Sequence, residues 1–119
     1  MSLTYAIKIA ESNECYIKWP FGCVIKKGGA VQAVGWNILK SEPYYLDDHS
    51  NCSIHAEMHA LRQMNYEAKG CVMFVARALR GGGSGLAKPC DDCQEVIRKA
   101  GVKRVVYTID NENHGVWKP

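Results

Sequence analysis

The sequence predicts a three-layer α/β/α fold, with helices on both faces of a central mixed sheet, and three observations predict it. Apolar periodicity alternates along the chain as helix, two strands, helix, strand, helix, strand. The two early strands flank a short Gly-containing turn and should pair antiparallel, whereas the last strand–helix–strand unit requires a crossover and therefore parallel strands. Cys71-Val72-Met73-Phe74-Val75-Ala76 is apolar without interruption, as expected of a strand covered on both faces.

Each element can be justified in order. Leu3, Ala6, Ile7 and Ala10 recur at i, i+3, i+4 and i+7, one apolar stripe, so a helix is expected over 3–12, ended by Asn13 and Glu14. After Pro20, Phe21 to Ile25 reads as a strand. Lys26-Lys27-Gly28-Gly29 is a turn signal, and Val31 to Trp36 returns to complete a hairpin. Residues 37–53 form a long polar connection, a length that usually carries function or mobility. Ser53 is the expected N-cap of a helix over 54–67, with Ile54, Met58, Leu61 and Met64 facing inward and Gly70 closing it. The Cys71–Ala76 strand leads into 77–88, where Arg77, Arg80, Lys88 and four glycines predict a flexible basic loop. A helix over 91–100 should bury Cys93, Val96, Ile97 and Ala100 and stop at Gly101. Val102 to Thr108 is the last clear strand, and the tail holding His114 and Trp117 has no strong pattern.

The chain-level numbers bound the function classes. At 119 residues, 1–119 is a single domain large enough for one core. Hydrophobic residues are 47% and charged residues 23%, a globular balance. No apolar run approaches the roughly 18 residues of a membrane helix, so no membrane partner is expected. The N-terminus shows no basic stretch followed by an apolar segment and a small-residue cleavage site, and a cytoplasmic location is expected. Without a secretory signal, the six cysteines read better as metal ligands and small buried hydrophobes than as disulfides. A net charge of +3 permits an anionic substrate but does not demand nucleic acid.

Two short motifs carry the chemistry: His55-Ala56-Glu57 and Pro89-Cys90-Asp91-Asp92-Cys93. His55, Cys90 and Cys93 offer three zinc ligands, one short of a closed structural shell, which leaves a position for water or substrate. Glu57, two residues from the histidine, is placed to move protons on and off that water, so the pattern reads as a site that makes hydroxide at neutral pH. Together the motifs should arise by chance in roughly one such chain in a few thousand. Both sit at expected helix starts, where partial positive charge favours thiolate and hydroxide. On an ideal helix, i and i+2 point about 200° apart, so His55 and Glu57 can serve one ion only if it lies off the helix end.

Competing readings exist for each motif. C-x-x-C alone is as often a structural zinc or redox pair. His59 imitates the second histidine of a zinc protease, but those need H-E-x-x-H, and position 56 is alanine. His49 with Cys52 could hold a second zinc, and Tyr44, Tyr45 and Trp117 could stack on a base, although core or interface packing is the commoner role for such aromatics. Arg77, Arg80 and Lys88 suit phosphate or simply a solvated loop.

At these residues, and over roughly 20–108, the chain resembles the cytidine deaminase-like superfamily. Pro20-Phe21-Gly22-Cys23-Val24-Ile25 is similar to the first-strand segment of tRNA adenosine and deoxycytidylate deaminases. Gly35-Trp36-Asn37 is similar to their Gly-aromatic-Asn segment, and His55 to Leu61 to their first zinc helix. The resemblance implies one catalytic Zn²⁺ per chain and Glu57 as proton shuttle. It further implies substrate contacts from the Asn37 side chain and the Ala56 N–H. The implied reaction is hydrolytic deamination of a nucleobase by zinc-hydroxide, C to U plus ammonia, on a cytosine-type nucleoside or nucleotide. An adenosine or cytidine deaminase of RNA or single-stranded DNA is the alternative, with nucleic acid permitted but not favoured. A non-catalytic zinc-stabilised binding module is the second. The family's habit implies a homo-oligomer, dimer or tetramer. Two departures stand out: the Gly-rich insertion at 77–88, and an end soon after Thr108, where longer members add a strand and helix.

Overall fold

In the computed structural model, residues 2–12, 20–39, 53–79 and 81–119 are described. The expected helix stop at Asn13–Glu14, and Tyr44, Tyr45, His49, Cys52 and Arg80, lie outside the described residues. The elements run α1 (Ser2–Glu11), β1 (Phe21–Lys27), β2 (Ala30–Trp36), β3 (Ile38–Leu39), β4 (Ser53–Ile54) and α2 (Ala56–Gln63). They continue with β5 (Val72–Ala78), β6 (Ser84–Gly85), α3 (Asp91–Ala100), β7 (Arg104–Thr108) and β8 (His114–Trp117).

The mixed three-layer architecture is present. One sheet runs β2-β1-β5-β7-β8, with β6 also pairing β5. β1 is antiparallel to β2 and to β5, whereas β5 and β7 are parallel, joined across α3. The hairpin turn is two glycines at positive φ, Gly28 at 58° and Gly29 at 87°, a backbone that matches the twist of its strands and that side chains resist. On one face α1 lays Ala6 on Val24 and Ala76, with Ile7, Ile9 and Phe74 around them. On the other, α2 and α3 cover Cys23, Ile25, Met73, Val75 and Val105 with Ala60, Leu61 and Ile97. Among the described residues no helix is long and apolar enough to cross a membrane.

Four expectations about α2 need correction. Ser53 does not cap α2: it lies in the short ladder β3–β4, His55 takes the cap position, and the helix ends at Gln63. The residues α2 buries are Ala56, Glu57, Ala60 and Leu61, while Met58 and Met64 are only half-buried against the core. Small residues face the sheet because the helix lies close to it. A Cβ on Gly35 of β2 would sit 2.5 Å from the Ala56 carbonyl oxygen and 2.9 Å from Ala60 Cβ. Gly70 lies beyond that helix, and the chain turns earlier through Asn65 and Tyr66 at positive φ.

The segment 77–88 is not a free loop. Arg77 and Ala78 extend β5, Ser84 and Gly85 pair back onto it, and Ser84 and Ala87 are buried. The tail is also ordered: β8 pairs antiparallel with β7, Trp117 packs against the core, and Arg98 lies 5.7 Å over its ring. Burial alternates along this edge strand, but the apolar Val116 lies on the exposed side and Gly115 on the half-buried side, so hydropathy carries little of that alternation in the sequence.

Candidate metal centre and active site

The site forms where α2 and α3 begin. Caps are usually Ser, Thr, Asp or Asn, whose side chains close the first turn. Here His55 and Cys90 occupy the two cap positions in extended backbone, and neither side chain caps its helix. Both side chains are thereby released to meet each other. His55 Nδ1 lies 3.1 Å from Cys93 Sγ and 3.7 Å from Cys90 Sγ, and the three donor atoms all fall within 4.8 Å of one another. A tetrahedral zinc with these donors has N···S edges of about 3.5 Å and S···S edges of about 3.8 Å. The donor set fits zinc.

The extended backbone at His55 also resolves the i, i+2 problem. With ψ at 151°, His55 is outside the helix, so the 200° divergence does not apply, and the ion position lies off the helix end. Glu57, inside the first turn, is 4% exposed. Burial pushes its carboxyl up to about 7, opposed only partly by its own backbone N–H. Burial likewise drives the Cys93 thiol far up, reinforced by the nearby charges of Glu57 and Cys90. A divalent cation held by these donors would favour their ionised forms and so oppose the upward shifts. Cys23, fully buried in β1, is raised by burial and then by Glu57, which places it beside that carboxyl. The sequence read Cys23 only as a small hydrophobe.

The remaining expected residues fall as follows. Asn37 directly precedes the β3–β4 ladder and His55 directly follows it, so the antiparallel ladder brings both to its same end. Asn37 is buried, and its Oδ1 accepts the Phe21 N–H at 3.0 Å, tying β1 to the chain behind the site. Ala56 is 1% exposed, between the ligand and Glu57. His59 turns away from the donor cluster: its Nδ1 lies 3.1 Å from both the N–H and the carbonyl oxygen of Trp36, and its ring stacks edge-on to the Trp36 indole. Gln63 donates to the Val34 carbonyl at 2.6 Å. One face of α2 thus holds the edge strand β2 while its start holds the donors. Among the described residues, Cys23, Cys71, Cys90 and Cys93 are unbridged, which argues against a disulfide scaffold.

A helix-flanked mixed sheet with a His–Cys–Cys donor set at two helix starts defines a class of metal-site α/β/α proteins. Within that class the chain belongs to the cytidine and deoxycytidylate deaminase zinc-binding region family, whose model matches residues 2–109. It is 35% identical over 98 residues to the riboflavin biosynthesis protein RibD of Escherichia coli, covering 77% of this chain and 21% of that protein. It is 25% identical over 101 residues to human deoxycytidylate deaminase, covering 74% and 51% respectively. The dCMP deaminase of cyanophage S-TIM5, crystallised with dCMP and dUMP, superposes with a TM-score of 0.65 at 28% identity, covering 89% of this chain and 76% of that one. The chain therefore spans about half, or less, of the curated relatives it matches.

Proposed function

We propose that this chain is a zinc-dependent hydrolytic deaminase of a cytosine-type nucleotide or nucleoside, converting the amine-bearing ring carbon to a carbonyl with release of ammonia. The observation that carries the reading is the gathering of three zinc-type donors, His55, Cys90 and Cys93, within 4.8 Å of one another, with the buried carboxyl of Glu57 two residues from the histidine. His55, Cys90 and Cys93 would hold one zinc, which when bound supplies a water acidic enough to ionise near neutral pH. A carboxylate beside that water can accept its proton and return protons to the ring nitrogen and the leaving amine, which is the role that falls to Glu57. The Ala56 N–H, at the positive start of α2, suits the ring carbonyl, and Asn37 suits the sugar or base. The nucleotide preference rests on the two dCMP deaminase relatives. We further infer a cytoplasmic homo-oligomer, by analogy with the family.

The test is ammonia release by zinc-loaded protein from a panel of bases, nucleosides, nucleotides and single-stranded oligonucleotides, wild type beside Glu57→Gln. Turnover of a cytosine nucleotide or nucleoside that falls at least 10³-fold in the variant, with zinc content unchanged, is expected from the loss of its proton shuttle. Turnover of oligonucleotides alone would move the substrate to RNA or single-stranded DNA. A zinc-loaded chain inert on the whole panel would instead be a binding module.

A further inference from the structure

The sequence left the Gly-rich insertion without a role, and the fold gives it one. β1 occupies one side of β5, where Phe21 pairs with Arg77. On the other side β7 pairs with β5 as far as Val75. Beyond that point β6 takes over the vacated edge, Gly85 opposite Arg77 and Ser84 opposite Ala78. Thr108, the last residue of β7 and 1% exposed, fills the seam. Its hydroxyl accepts the Arg77 N–H at 3.2 Å and donates to the Gly85 carbonyl at 2.7 Å. Its own carbonyl accepts the Ala87 N–H at 2.9 Å.

A second anchor lies on the β7–β8 turn. Asn111 Oδ1 accepts the Ser84 N–H at 2.6 Å. The same amide lies so close to Gly83 that a Cβ there would meet Oδ1 at 2.5 Å. The turn that presents Asn111 is pinned by Asp110, whose Oδ1 accepts the N–H groups of Glu112 and Asn113. Gln94 donates to the Pro89 carbonyl at 2.8 Å and closes the segment onto α3. Every residue from Gly83 to Cys90 thus lies within two positions of an anchor, and the chain leaves the last anchor into the ligand pair.

We propose that Thr108 and Asn111 are positioning residues for Cys90 and Cys93, acting through the folded segment 83–89 as a strap between the β7–β8 hairpin and the metal centre. The proposal rests on the zinc-site reading above. Cys93 is held by burial in α3. Cys90, exposed at the helix cap, is held from one side by α3, whose Gln94 N–H donates to its carbonyl at 2.8 Å, and from the other by the strap that ends at Pro89. Partners hydrogen-bonded to a ligand typically change metal affinity 10- to 100-fold, and Thr108 and Asn111 act one step further out, through the backbone, so the lower end of that range is expected.

The experiment is zinc affinity by chelator competition, with the Co²⁺ thiolate and ligand-field spectrum as a second readout. Thr108→Val, which keeps shape and removes the hydroxyl, should weaken zinc about 10-fold and perturb the Co²⁺ bands. Asn111→Ala, at an exposed turn, should weaken it in the same direction, and Thr108→Ser should restore affinity to within a few-fold. Ala6→Val overpacks the α1 face, away from the strap, and serves as a stability control. If Thr108→Val does not fold, Asn111→Ala decides. Wild-type affinity and spectrum in the folded variants would overturn the strap, and so would an equal loss of affinity in Ala6→Val. Because the readout is binding, these outcomes are separate from turnover: an inert chain with the expected affinity pattern keeps the strap and loses the deaminase. A wild-type chain that binds no zinc loses both.

Discussion

Replacing Gly35 by alanine should disable the metal centre without touching any donor. The added Cβ would lie 2.5 Å from the Ala56 carbonyl oxygen, 2.6 Å from the Ala60 nitrogen and 2.9 Å from Ala60 Cβ. Ordinary contact begins at 3.4 Å, so the first turn of α2 must retreat from β2 by about 0.9 Å. Two of these are backbone atoms and the third is an alanine Cβ fixed to the backbone, so no side chain can rotate aside. His55 and Glu57 ride on that turn, whereas zinc sites tolerate donor displacements of only about 0.2 Å. Overpacking of this kind costs about 1–3 kcal/mol, or very roughly 4–12 °C in Tm for a domain this size. Gly22→Ala is the matched comparison on the opposite face. Its Cβ would meet the Ala6 oxygen at 2.4 Å and the Ala10 nitrogen at 2.6 Å, pushing away α1, which carries no donor. Thermal unfolding in chelator should show similar losses for both variants, while chelator competition should show zinc affinity reduced at least tenfold for Gly35→Ala alone. Wild-type affinity in Gly35→Ala, or equal loss in Gly22→Ala, would refute the argument that this close approach sets the donors.

Two further outcomes follow from side chains around the site. Burial, aided by Arg62 and opposed by the Trp36 carbonyl, holds His59 below its ordinary 6.5. The unfolded chain therefore takes up a proton that the folded chain refuses, and stability present above pH 6.5 is lost as pH falls below it. The apo-protein's Tm should drop on acidification more steeply in wild type than in His59→Gln, and parallel slopes would show that His59 does not contribute. Asn37→Leu removes the acceptor of the Phe21 N–H and should cost about 1–2 kcal/mol by denaturant unfolding. If Asn37 also meets substrate, KM should rise as well, and an unchanged KM would confine it to holding β1.

Much of the architecture was legible because its signals are local. Four stripe positions marked α1, two glycines marked the hairpin, and α3 ran over the expected residues to Gly101. The chemistry was legible for a different reason. Metal ligation needs particular donor atoms, and the short spacings His55-Ala56-Glu57 and Cys90-Asp91-Asp92-Cys93 survive in the chain as motifs. What misled was polarity read as looseness. Arg77 and the glycines after it suggested a flexible loop, yet the backbone there is anchored by Thr108 and Asn111, residues 23 to 31 positions away in the sequence. Ser53 resembled a cap but was recruited into a ladder with Leu39, a choice made by pairing and not by propensity.

The sequence by itself determined which atoms can bind the metal, that a carboxyl stands next to them, and that helices should cover both faces of a mixed sheet. Those are properties of residue type and short spacing. Only the tertiary structure decided that His55 leaves the helix to meet Cys93, that Glu57 is buried enough to sit near 7, and that the insertion is tied to the final hairpin. Each of these depends on desolvation or on contacts between distant strands, and neither is written in any short stretch of the chain.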